Sequence, residues 1–73
     1  MQMTTDRFKH IILTHQPAMQ RMAQAILGDP DAAADAVQDA VVALWQQRGK
    51  MDTVVNAEAW CIQFVKRRSL DIL

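Results

Sequence analysis

The tripeptide Gly28-Asp29-Pro30 constrains this chain more than any other feature. Glycine suits the left-handed residue that closes a helix, aspartate caps the next one, and proline fits its first turn. With only two Gly and two Pro in 73 residues, such breaks are rare and the segments between them are long. On both sides apolar residues recur at spacings of three and four, the period of a helix. Asn56, with Glu58 two residues on, reads as a third start. No strand pair, internal repeat, low-complexity tract or interdomain linker is visible. The expectation is an all-α domain over residues 1–73, a small antiparallel bundle of three main helices.

The first helix is expected from about Thr5 to Leu27, with Phe8, Ile11, Ile12, Met19, Met22, Ala23 and Ile26 inward. Pro17 cannot donate to the Leu13 carbonyl and its ring crowds that group, which predicts a kink or split there. A second helix from about Asp31 to Arg48 gathers Ala33, Val37, Ala40, Val41 and Leu44 on one side, with Trp45 and Arg48 at the edge. Opposite them fall Asp35, Gln38, Asp39, Val42 and Gln46. Gly49 ends this helix, and Lys50 to Val55 reads as a loop. The third helix buries Ala57, Trp60, Cys61, Phe64 and Val65, and turns Gln63, Lys66, Arg67 and Leu70 outward. Arg68 and Asp71, three apart, invite an ion pair along that helix.

Composition narrows the function classes. Eight basic and eight acidic residues cancel, which excludes a globally basic nucleic-acid binder but leaves local patches. Residues 31–45 carry Asp31, Asp35 and Asp39 and no base, whereas the last part carries Arg48, Lys50, Lys66, Arg67 and Arg68. Such polarity suits two different partners. A single cysteine removes any disulfide framework or multi-cysteine zinc site. His10 and His15, five apart, face differently on a helix, so no metal site or other cofactor is expected; His15 reads as a capping or surface residue. There is no Gly-rich phosphate loop, paired-acid site or nucleophile with a base, so no enzyme is expected. No apolar run is long enough to span a membrane, and a cytoplasmic protein is expected.

Three ordered stretches carry a resemblance. Ala23 to Asp29 reads A-Q-A-I-L-G-D, Ala34 to Trp45 reads A-D-A-V-Q-D-A-V-V-A-L-W, and Ala59 to Leu73 reads A-W-C-I-Q-F-V-K-R-R-S-L-D-I-L. From about Phe8 onward the chain resembles region two of a bacterial RNA polymerase sigma factor, most closely the extracytoplasmic-function (ECF) subgroup. The sequence departs from that family's pattern at Ala34, where Glu is usual, at Arg67, where Asn is common, and at Ile72, where Arg often follows the late Asp.

The resemblance implies a transcription initiation factor. Its second helix docks on a coiled coil of the largest subunit of the RNA polymerase core, and it helps to recognise and melt the minus-ten promoter element. Carried over by position, Asp35, Gln38 and Asp39 become the polymerase contacts. Val42 and Gln46 extend the same face. The loop from Gly49 to Val55 becomes the acceptor of an unstacked base, and Lys50, Gln63, Lys66, Arg67 and Leu70 become the face toward the non-template strand. An anti-sigma factor is admitted as a further partner. The family's linker and helix-turn-helix domain do not fall within these residues, and a truncated chain is expected because the apolar pattern is still running at Leu73. On the residues alone, a helical protein-interaction domain using the acidic face without nucleic acid stays open beside this reading.

Overall fold

In the structure, a computed structural model, residues 4–51 and 56–73 are described. They form helices α1 (Thr5–Leu27), α2 (Pro30–Gln46), α3 (Arg48–Met51) and α4 (Ala57–Ile72). The long helices α1, α2 and α4 pack pairwise on one another, and the all-α bundle expected from the sequence is observed.

The helix boundaries follow local chemistry. The Thr4 side chain accepts a hydrogen bond from the Arg7 N–H at 3.1 Å and starts α1. Gly28 closes it in the left-handed region at φ 72°, its N–H donating to the Gln24 carbonyl at 2.8 Å. Asp29 then caps α2, accepting from the Asp31 N–H at 3.3 Å, with Pro30 in the first turn. Asn56 caps α4 through a bond from the Ala59 N–H at 3.0 Å.

Two expectations about the helices need correction. First, of the kink or split expected at Pro17 the split is absent, since α1 passes through as one helix; the proline that marks a helix boundary is Pro30. Pro17 and Leu13 are both exposed, so the side of the helix that loses its hydrogen bond faces water. Phe8 and Ile12 before the proline and Met19 and Ala23 after it are all buried in one core, which holds α1 together across the defect. Second, α2 ends at Gln46, and Arg48 to Met51 form the separate turn α3, so Lys50 lies on a short helix and not in a loop. Its N–H donates to the Gln47 carbonyl at 2.9 Å. The rest of the expected loop lies outside the described residues.

The core is built from small residues between larger ones. Ala23, Ala33, Ala36, Ala40 and Cys61 are all at most 1% exposed, which lets the three helices approach closely around Met19, Val37, Leu44 and Val65. Trp45, Trp60 and Phe64 are only half-buried and pack against the outside of this core. Trp45 meets Phe8 edge-on at 5.0 Å, and Trp60 meets Phe64 edge-on at 5.1 Å. Ser69, which the apolar pattern did not single out, is fully buried; its hydroxyl donates to the Val65 carbonyl at 2.7 Å, satisfying the polar atom within its own helix.

Candidate functional site

Packing against α1 and α4 decides which way α2 faces. With Ala33, Ala36, Val37, Ala40 and Leu44 buried, the opposite side must meet solvent. Asp35, Gln38, Asp39, Val42 and Gln46 are all exposed there, as the sequence predicts. At about 100° per residue they share a stripe of roughly 100° of arc, and at 1.5 Å per residue it runs about 16 Å. Val42, 55% exposed, is an aliphatic side chain in the middle of carboxylates and amides. Such a stripe presents acceptors for a cationic partner around a small apolar contact.

One member of the stripe has a partner that sequence reasoning missed. The Arg68 Nε of α4 donates to the Asp39 Oδ2 at 3.0 Å, both side chains being 48% exposed. The expected Arg68–Asp71 pair is therefore not the one formed. An acid placed after a base in the last helical turn meets the negative end of the helix dipole, whereas Asp39 lies within reach on the neighbouring helix. No local pattern could have signalled a contact across 29 positions in sequence.

On α4, Gln63, Lys66, Arg67 and Leu70 are exposed, with Leu70 at 52%. Their spacing of zero, three, four and seven repeats that of Asp35, Gln38, Asp39 and Val42, so two stripes of like shape and opposite charge sit on adjacent helices. Cys61, Val65 and Ser69 anchor the other side of α4 in the core. Arg48 does not point into solvent as a phosphate contact would. Its guanidinium lies 3.9 Å above the Trp45 ring and donates from Nη1 to the Trp45 carbonyl at 2.8 Å, closing the end of α2.

The titratable groups near the core have other uses. His15, expected at the surface or as a cap, is half-buried between helices, its Nδ1 3.9 Å from the Glu58 Oε2 on α4. Burial pushes the Cys61 thiol up from 9.0 to about 11, and the Glu58 carboxylate adds to the shift. A thiol held protonated is a poor nucleophile. Because the folded-state value is the raised one, the stability linked to Cys61 is present below pH 9 and is lost as pH climbs towards 11. Two outcomes are expected: iodoacetamide at pH 8 modifies Cys61 in the denatured chain far faster than in the folded one, and Cys61→Ala flattens the loss of stability above pH 9. Mass spectrometry and pH-dependent urea unfolding check them.

Among the described residues no group of three or more His, Cys, Asp or Glu side chains could hold a metal ion. No helix among them is long and apolar enough to cross a membrane. An open groove of about 330 Å³ lies between α1 and α2, lined by Phe8, Ile12, Val41 and Trp45 with the exposed Leu13 at its edge.

Comparison with known proteins places the chain in a family. The family model described as Sigma-70 region 2 matches residues 11–73, most of the chain. Neither the curated proteins nor the solved structures include a match.

Proposed function

We propose that this chain, which belongs to the sigma-70 region 2 family, grips RNA polymerase with the outer stripe of α2 and meets promoter DNA with the outer stripe of α4. Region 2 binds the polymerase core and recognises the minus-ten element during promoter melting; it is a non-enzymatic part of a transcription factor. The assignment of residues to those two tasks is our reading. Asp35, Gln38 and Asp39 pair with basic side chains of a coiled coil in the largest polymerase subunit, Val42 fills an apolar contact between them, and Gln46 extends the face. Lys66 and Arg67, with Lys50 on α3, follow the phosphates of the non-template strand, while Gln63 and Leu70 approach its bases.

One observation carries the reading. All five docking candidates project from one side of α2 while the other side is committed to the core, so the acidic stripe is available to a partner without unfolding. The ordered stretches Ala23 to Asp29, Ala34 to Trp45 and Ala59 to Leu73 support placing the chain in the ECF subgroup. A role beside polymerase supports a cytoplasmic location. An anti-sigma factor that covered both stripes would block both tasks at once, and would add its binding energy to a small core.

The DNA half of the proposal is tested by salt titration. Lys66→Ala combined with Arg67→Ala is expected to weaken binding of single-stranded minus-ten DNA and to lower the slope of log K against log salt by about 1.4, about 0.7 per phosphate contact. Fluorescence anisotropy with a labelled oligonucleotide measures it. An unchanged slope would remove DNA from the function of α4 and leave a protein-interaction domain.

A further inference from the structure

We propose that Arg68 is a positioning residue for polymerase docking, fixing the Asp39 carboxylate in the orientation its partner meets. The inference rests on the docking reading of α2 given above.

The acidic stripe has an internal conflict. Asp35 and Asp39 stand one helical turn apart, a spacing at which like charges repel, and residues 31–45 hold no base to offset them. The missing cation arrives from another helix: α4 delivers Arg68 so that its Nε donates to the Asp39 Oδ2 at 3.0 Å. With one oxygen tied down, the torsions of Asp39 are set by a group that is itself anchored on α4 between the buried Val65 and Ser69. A carboxylate has acceptor capacity for several donors, and among the described residues the Asp39 Oδ1 takes no hydrogen bond. That oxygen remains for an incoming cation.

Fold stability is a weak explanation for the pair. Both side chains are 48% exposed, and exposed ion pairs contribute little to folding. Ordering a side chain before association, by contrast, removes part of the entropy cost that binding otherwise carries. The bond also ties α2 to α4, so the polymerase-facing stripe and the nucleic-acid-facing helix hold a fixed relation at this point.

A double-mutant cycle tests the proposal. The parent chain, R68Q, D39N and the double variant are each titrated against RNA polymerase core enzyme, and each is melted alone. R68Q is expected to weaken binding about three- to tenfold while its Tm moves by a few degrees at most. In the D39N background, R68Q is expected to change the Kd no further. An equal loss in both backgrounds would mean that Arg68 touches the polymerase directly, and would overturn the positioning role. R68Q binding like the parent while D39N binds poorly would overturn it too and leave the docking reading intact. D39N binding like the parent would overturn the docking reading at Asp39, and the inference with it.

Discussion

Replacing Asp35 and Asp39 together with lysine is expected to abolish binding to RNA polymerase core while leaving the helical fold in place. Both side chains are exposed, and neither supports the core directly. The substitution turns two carboxylates into two cations on a surface assigned to basic partners, so attraction becomes repulsion at two points. Losing a desolvated charge pair costs about 2–5 kcal/mol, and reversal exceeds simple truncation. Even the lower figure is about a thirtyfold loss in affinity. The folded state suffers much less. Lysine at 39 faces Arg68 across the gap now closed by the 3.0 Å bond, and an exposed pair of this kind is worth about 1 kcal/mol or less. Circular dichroism of the free chain should therefore keep its helical signal while surface plasmon resonance against the core enzyme loses its response.

Leu44→Ala is expected to do the reverse, leaving the acidic stripe chemically intact and unfolding the domain that presents it. Leu44 is 0% exposed, with Ala40 and Val37 buried beside it on the same face of α2. Truncating a buried leucine costs about 2–5 kcal/mol, the higher values applying where neighbours cannot collapse into the space. The core it belongs to includes Ala23, Ala33, Ala36 and Ala40, which have little side chain to move into the space. A domain of this size has about 3–5 kcal/mol to lose. The expected outcome is a chain that is largely unfolded at 25 °C, seen as loss of the cooperative thermal transition. A sharp transition within a few degrees of the parent would show that Leu44 lies outside the true core.

These two variants separate what α2 does inward from what it does outward, and that division is also what the sequence made legible. The helix breaks at Gly28-Asp29-Pro30 and Asn56 could be read because they depend on residues within one turn of the boundary. The inward and outward sides of α2 and α4 could be read because the 3.6-residue period sorts side chains before any tertiary contact is known. Pro17 misled for the opposite reason: the local cost of proline was overcome by Met19 and Ala23 packing into the same core as Phe8 and Ile12. Ala36 escaped notice because a small side chain adds little to an apolar pattern, although it is 0% exposed. Arg68 escaped because its partner lies on another helix. A helical wheel places Arg68 near its own Asp71 and has no means of showing that α2 brings Asp39 closer.

The central claim is that the outer stripe of α2 is the surface that meets polymerase, and site-specific photocrosslinking tests it most directly. A benzophenone amino acid in place of Gln46 sits at the end of that stripe while Asp35, Gln38, Asp39 and Val42 remain unaltered. A second chain carries the same probe at Ala25, an exposed position on α1. Irradiated in complex with the core enzyme, the Gln46 probe should form an adduct with the largest subunit, and the Ala25 probe should not. A complex that forms normally yet yields an adduct from Ala25 and none from Gln46 would contradict the account.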